Sequence, residues 1–82
     1  MLFEIHITVQ HNQFFLLKQF CLGNKYGYIL VKNAYGKNPW QLIITHWVSK
    51  ADYNEAIEAA IALANEMKAY GFTVVRTKVE HE

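Results

Sequence analysis

The sequence contains only one cysteine, one proline and four glycines among 82 residues, and these shortages exclude several classes of protein. The lone Cys21 cannot form an internal disulfide, and no cysteine and histidine set has zinc-finger spacing, so apolar residues must stabilise the fold. No apolar run approaches the roughly 20 residues of a membrane span. The first residues also lack the basic-then-apolar order of a secretory signal. We therefore expect a cytoplasmic protein.

Charged residues are also scarce, at 18% of the chain, and the formal net charge is +1. A charge so close to neutral argues against a general nucleic-acid binder that neutralises many phosphates. Hydrophobic residues make up 52% of the chain and aromatic residues 15%, which excludes a disordered segment. A chain of this length is near the lower limit at which a single apolar core stabilises a fold. The core is therefore either formed by this chain alone or shared with a second subunit.

Alternation and apolar runs predict four strands. Residues 2–9 and 72–80 alternate between apolar and polar side chains, which is typical of half-buried strands. Residues 26–33 and 41–48 are rich in apolar residues and flank segment 34–39, which is dense in turn residues. This arrangement predicts a hairpin in the middle of the chain.

A first, short helix is predicted over residues 13–22, with Asn12 as its N-cap and Gly23 at its end. Cys21 falls on the core side of this helix, without a histidine or basic neighbour at helical spacing. We interpret it as a small buried hydrophobe rather than a nucleophile. Two apolar residues are left over on the opposite side of the helix, Phe15 and Leu22.

A second, longer helix is predicted after Ser49 and Asp52, which together form a variant of the capping box. It ends at Gly71, a residue suited to the left-handed conformation that terminates helices. Its apolar residues recur at spacings of three and four and are predicted to face the core. They are Tyr53, Ala56, Ile57, Ala60, Ile61, Ala64 and Met67.

The order strand, helix, strand, strand, helix, strand predicts an α+β domain over residues 1–82 with a ferredoxin-like fold. In that fold an antiparallel four-stranded sheet carries two helices on one face. Right-handed crossovers place the first and third strands at its centre and pair the first strand with the last. The other face of the sheet is left open.

We expect the functional side chains on this open face, where polar residues of neighbouring strands converge. The third strand is apolar on both sides, so either Thr45 and Trp47 or His46 lies beside His6. Basic, hydroxyl and aromatic groups together suit a planar anionic ligand such as a nucleotide or short RNA. The alternative is an ordinary polar surface with cross-strand charge pairs. The predicted ligand-binding residues are His6, Thr8, Arg76, Lys78, Trp47 and Tyr28.

The segment His6-Ile7-Thr8-Val9 resembles the strand signature of the two-histidine phosphoesterase superfamily, whose members cleave or ligate phosphodiesters of RNA and cyclic nucleotides. The resemblance implies a proton-transfer role for His6 and a phosphate-binding role for Thr8. The family uses two such motifs on two pseudo-symmetric halves, whereas this chain contains one. The segment His46-Trp47-Val48 does not match the signature. A symmetric dimer would supply a second copy.

Three classes of function follow. The preferred one is a small non-enzymatic protein that binds a phosphate-bearing ligand, and a homodimer is expected because the apolar residues exceed what one small core covers. The second is an accessory or virus-encoded interaction module or inhibitor, contacting its partner through Tyr35 and Trp40. The third, a dimeric phosphodiesterase using His6, ranks last because catalysis needs a preorganised pocket with a second acid or base. No cofactor and no metal site is predicted.

Overall fold

The computed structural model describes residues 1–24, 27–32 and 40–82, with side chains for residues 1–23 and 41–82. The chain forms an antiparallel sheet and two helices, which confirms the α+β class. The predicted contact residue Tyr35 and the side chain of Trp40 lie outside the described residues. The elements are β1 (Leu2–Val9), a 3-10 turn (His11–Gln13), α1 (Phe14–Asn24), β2 (Gly27–Lys32), β3 (Trp40–Ser49), α2 (Tyr53–Tyr70) and β4 (Val74–His81).

The order of strands in the sheet is β2-β3-β1-β4, and every neighbouring pair is antiparallel. Strands β3, β1 and β4 carry the side chains that the structure describes, while β2 joins β3 through its backbone. The predicted antiparallel pairing of the first and last strands is confirmed. Because β1 lies between β3 and β4, the structure describes the side chains that neighbour its polar residues on both adjacent strands.

The core lies between the two helices and one face of the sheet. Alternate residues of β1 are fully buried there, as the period-two pattern predicts, while the residues between them are partly exposed. Both helices contribute to the same apolar cluster, so both cover the same face of the sheet. The cluster includes Ile5, Ile7, Val9, Leu17, Phe20, Cys21, Leu42, Ile44, Ala60, Leu63, Met67 and Phe72.

The orientation of β3, which the sequence left open, is now determined. Leu42 and Ile44 are fully buried, so Thr45 and Trp47 lie on the open face of the sheet. His46 lies on the helix-covered side, where burial lowers its pKa. The first of the two alternatives for β3 is therefore the correct one.

The helix α2 is capped differently from the prediction. The predicted capping residue Ser49 is the last residue of β3, and Asp52 is the N-cap itself. The Asp52 carboxylate accepts a hydrogen bond of 2.9 Å from the backbone amide of Glu55, whose own carboxylate accepts one of 2.9 Å from the amide of Ala51. The N-cap of α2 is thus Asp52, three residues later than the predicted Ser49. Asp52 and Glu55 together bind free backbone amides at the start of the helix, as the two side chains of a capping box do.

Replacing Asp52 with alanine is expected to lower the free energy of unfolding by about 1 kcal/mol, because the amide of Glu55 loses its partner. Urea denaturation followed by circular dichroism measures this loss. Asp52→Asn is the matched control, since its side-chain oxygen still caps the helix. An Asp52→Ala protein as stable as the wild type would contradict the assignment of this cap.

The end of α2 agrees with the prediction, but its buried face does not. Gly71 has a φ of 120°, and its amide reaches the carbonyls of the last helical turn. Leu63 is buried although the sequence analysis left it out, whereas Ile61 is 53% exposed. Tyr53 packs against Phe3 with ring centroids 6.0 Å apart and is still 48% exposed. The helix is therefore turned so that part of its apolar surface lies beside β4.

The start of the first helix also differs from the prediction. Asn12 lies inside the 3-10 turn and does not cap a helix, and Gly23 lies within α1 rather than at its end. Gln13 fixes this region instead: its side chain donates a hydrogen bond to the carbonyl of Gly71 at 3.2 Å and accepts one from the amide of Thr73 at 2.9 Å. A long-range contact thus replaces the predicted local cap.

In β4 the predicted alternation fails at its first residues. Thr8 pairs with Arg76, but Val9 pairs with Val74, so Val75 is an extra residue in the strand. Val74 consequently packs against the core, and Val75 is 63% exposed. From Arg76 onward the predicted alternation holds, with Arg76 and Lys78 on the open face.

Among the helices in the described part of the chain, none combines the length and the apolar character that a membrane crossing requires.

Candidate functional site

A shallow cavity of about 190 Å³ lies on the open face of the sheet, above β1 and between side chains of β3 and β4. It contains four of the six predicted ligand-binding residues. Its lining consists of His6, Thr8, Gln41, Ile43, Arg76, Lys78 and Glu80.

The register of the three strands explains why these side chains meet. Across β1 and β4, His6 is opposite Lys78 and Thr8 is opposite Arg76. On the other side of β1, Thr8 is opposite Ile43. Side chains directly opposite one another on antiparallel strands share a face and lie about 5 Å apart at their β-carbons. His6 therefore lies directly across from Lys78.

His6 occupies the more acidic end of the cavity. Its Nε2 atom contacts the carboxylate of Glu4 and lies 3.6 Å from Oε2 of Glu80. Its Nδ1 atom is 3.4 Å from the hydroxyl of Thr45, which points at the ring from β3. Contacts on both ring nitrogens hold the imidazole in one orientation, and a protonated ring would form ion pairs with both carboxylates.

Lys78 is engaged within the same group of residues. Its ammonium nitrogen lies 2.6 Å from Oε1 of Glu80. The hydrogen bond and the charge of Lys78 lower the pKa of the Glu80 carboxyl, with a smaller contribution from His6. Glu80 is therefore ionised at neutral pH, and its carboxylate forms an ion pair with the ammonium of Lys78 beside the cavity.

Arg76 is in a different position. It forms no salt bridge with any residue that the structure describes, although it lines the cavity next to Thr8. Gln41 and Ile43 line the cavity from β3, and Ile43 lies opposite Thr8, so both are at this end of the cavity. The two ends of the cavity thus have different electrostatic character: acidic and internally paired around His6, and cationic around Arg76.

The acidic end also has the donor atoms of a metal site. One ligand atom each from Glu4, His6 and Glu80 lies within 4.8 Å of the others. The sequence predicted no metal site and did not identify this set. Because Lys78 already pairs with Glu80 at this place, the cluster is satisfied by protein groups, and we assign it no metal.

The structure brings four of the six predicted residues together. Trp47 lies on the open face, as one of the alternatives placed it, but opposite Glu4 and outside the cavity lining. The side chain of Tyr28, the sixth predicted residue, lies outside the described residues. Gln41 and Ile43 were not predicted as site residues, because the sequence does not show which face of the sheet the side chains of β3 lie on.

Comparison with known proteins adds no relative to this description: no family model, no curated protein and no solved structure matches the chain.

Proposed function

We propose that this protein binds a phosphate-bearing ligand, a nucleotide or a short RNA, through the cavity on the open face of its sheet. The observation that carries the proposal is Arg76, an arginine without a salt bridge among the described residues, lining a cavity beside a hydroxyl side chain. A guanidinium presents a planar fork of donors that matches phosphate oxygens.

Within the cavity, the phosphate is expected at the end formed by Arg76, Thr8 and Gln41. The carboxylate of Glu80 and the contact between Glu4 and His6 make the opposite end unfavourable for an anion. The hydroxyl of Thr8 and the amide of Gln41 each supply a hydrogen-bond donor without a further charge. Anion binding at this end therefore requires no rearrangement of the Lys78 and Glu80 pair.

The size of the cavity limits how much of the ligand is enclosed. Pockets that enclose a drug-sized molecule hold roughly 300–1,000 Å³, whereas this one holds about 190 Å³. We therefore propose that the cavity takes the phosphate and that the rest of the ligand lies along the open sheet. Ile43 in the cavity lining and the exposed ring of Trp47 beyond the cavity are apolar surfaces for a base.

We further propose that the fold is ferredoxin-like and that the hydroxyl of Thr8 binds a phosphate oxygen, as the resemblance to two-histidine phosphoesterases implies, in a protein that binds its ligand without hydrolysing it. The strand order β2-β3-β1-β4 and the placement of both helices on one face support the fold assignment. The sequence has one His-x-Thr strand where that family uses two. Binding by a single motif is the simpler function for this chain.

Replacing Arg76 with alanine is expected to weaken binding of the phosphate-bearing ligand by about 1.5–3 kcal/mol, the usual contribution of a hydrogen bond to a charged group. This loss corresponds to a roughly 10- to 150-fold rise in Kd. A thermal-shift screen with inorganic phosphate, nucleoside monophosphates and a short oligoribonucleotide selects the probe. Calorimetric titration of wild type and variant, at two salt concentrations, then measures the difference.

Lys18→Ala is the matched control, because Lys18 is exposed on α1 and the substitution removes the same charge away from the open face. It is expected to leave the affinity within about twofold, since it makes no contact at the site and acts only through screened long-range charge. Equal affinities of the Arg76→Ala and Lys18→Ala proteins, or no binding of any probe, would overturn the proposal. In that case the interaction module becomes the better interpretation.

A further inference from the structure

Strand β4 lies at one end of the sheet, and its hydrogen bonds to β1 show which of its backbone groups remain available. The amide of Glu82 donates a hydrogen bond of 3.0 Å to the carbonyl of Leu2. In an antiparallel ladder the residues of a strand point their backbone groups alternately to one side and the other. The backbone N–H and C=O groups of the even-numbered residues from Arg76 to Glu82 therefore point towards β1. Those of the odd-numbered residues point away from it.

The outward backbone groups belong to Thr77, Val79 and His81. No strand in the described part of the chain pairs with them, since β4 is the last strand in the sheet order. The hydroxyl of Tyr53 lies 3.5 Å from the carbonyl oxygen of Val79, which agrees with the outward direction of that carbonyl. A carbonyl oxygen accepts two hydrogen bonds, so this contact leaves Val79 able to pair with another strand.

The open-face side chains of β4 and of Glu82, the residue after it, follow a simple order of charge. Two cations, Arg76 and Lys78, are followed by two anions, Glu80 and Glu82. When two identical strands pair antiparallel, the basic half of each lies beside the acidic half of the other. The charge order of this edge is therefore complementary to itself.

We propose that β4 is a self-association surface, which pairs antiparallel with β4 of a second copy of this chain about a two-fold axis at Val79. In this register Lys78 lies opposite the partner's Glu80 and Arg76 opposite the partner's Glu82, and each pair occurs twice. Val79 meets its own counterpart through the outward backbone groups. This interface goes beyond the proposed ligand site and needs no ligand, but Arg76, Lys78 and Glu80 also line the cavity, so the dimer and a bound anion compete for Arg76.

The neighbouring registers are unfavourable. A two-fold axis at Thr77 sets Arg76 against the partner's Lys78, and an axis at Lys78 or at Glu80 sets two identical charges against each other. Only the axis at Val79 places opposite charges across the interface at all four positions. The charge order thus selects one register.

An apolar groove beside β4 also supports a second copy of the chain as the partner of this strand. It has a volume of about 460 Å³ and lies between α2 and the helix-covered side of the strand. Ile61 in its lining is 53% exposed, so apolar surface next to the edge is uncovered in the single chain. A second copy paired along β4 brings its own α2 to this groove. The residues lining the groove are Tyr53, Ile57, Ala60, Ile61, Thr77, Lys78 and Val79.

The experiment reverses the charges of one cross-subunit pair, Arg76 and Glu82. These residues are six positions apart on one strand, about 20 Å, so they cannot form an ion pair within a chain. Glu82→Arg and Arg76→Glu are each expected to raise the dimer dissociation constant about tenfold or more, because each creates two like-charge pairs. The double variant Arg76→Glu with Glu82→Arg is expected to return it to within about threefold of the wild type, because opposite charges again face one another. Sedimentation equilibrium from low micromolar to millimolar concentration measures all four proteins.

Two further variants serve as a control for the change of charge and as a test of the backbone pairing. Glu66→Arg makes the same charge change on the exposed side of α2 and is expected to leave the dissociation constant unchanged. Thr77→Pro removes an outward amide, which edge strands tolerate, and is expected to abolish the dimer while circular dichroism shows a folded chain. A monomeric wild type at millimolar concentration would overturn the proposal. A dimer that Glu82→Arg or Thr77→Pro leaves intact, or that the double variant does not recover, would overturn it too. Glu82→Arg and Thr77→Pro test the interface apart from the anion site, since neither Glu82 nor Thr77 lines the cavity.

Discussion

Replacing Ile7 with alanine is expected to lower the free energy of unfolding by about 2–5 kcal/mol, a large part of the stability of a domain this small. Ile7 is fully buried, in an inner strand of the sheet and within the apolar cluster that both helices cover. The substitution removes three methyl or methylene groups from a packed site and leaves a cavity that its neighbours fill only in part. Urea denaturation at constant pH measures the change, provided that the m-value is unchanged.

The adjacent residue supplies the matched control. Thr8 is next in the strand but lies on the open face, where it lines the cavity. Thr8→Ala is expected to change the free energy of unfolding by no more than about 0.5 kcal/mol, because its side chain packs outside the core. Equal losses for Ile7→Ala and Thr8→Ala would mean that β1 does not present alternate residues to core and solvent, and the anion site would fall with that register.

The fold could be predicted from the sequence wherever a pattern has only one physical solution. The alternation in β1 admits one orientation, because a slip of one residue would bury Glu4, His6 and Thr8. Gly71 likewise marks the end of α2 in both the prediction and the structure, since a φ of 120° is costly for residues with a side chain. These features depend on local chemistry and needed no knowledge of the tertiary contacts.

Other features could not be predicted, because long-range packing decides between equivalent local solutions. The apolar stripe of α2 is broad, and the sequence did not show that Leu63 would be buried while Ile61 remained exposed. The bulge at Val75 depends on how β4 meets the end of β1, which no local pattern encodes. The same holds for Gln13, whose side-chain amide binds the loop after α2.

The sequence predicted which types of residue form the candidate site, but only some of the individual residues. Period two placed His6, Thr8, Arg76 and Lys78 on one face, and the strand pairing then brought them together. The third strand has apolar residues on both sides, so its contribution could not be assigned before the structure showed Leu42 and Ile44 in the core. The pairing of Lys78 with Glu80 also depends on side-chain conformations that a pattern of residue types does not specify.

The free energy of unfolding is expected to fall between pH 9.0 and about 11, because the single buried thiol, Cys21, loses its proton over this range. Burial raises the pKa of Cys21 from 9.0 to about 11, because the thiolate would lose its hydration in the core. The folded state therefore binds this proton more tightly than the unfolded state. Its contribution is complete below pH 9.0 and is lost as the pH rises through the folded pKa. A shift of two pH units corresponds to about 2.7 kcal/mol.

The measurement compares the free energy of unfolding of wild type and Cys21→Ala across this pH range. Tyrosine and lysine side chains also titrate there, but both proteins contain them, so their effects cancel in the difference. Alanine adds a constant offset for the lost packing at a site that is 3% exposed. The stability advantage of the wild type over the variant is expected to shrink by up to about 2.7 kcal/mol as the pH rises from 9.0 to about 11. Parallel curves would show that the thiol titrates alike in both states, and Cys21 would then be an accessible thiol instead of a residue that acts only as a small core hydrophobe.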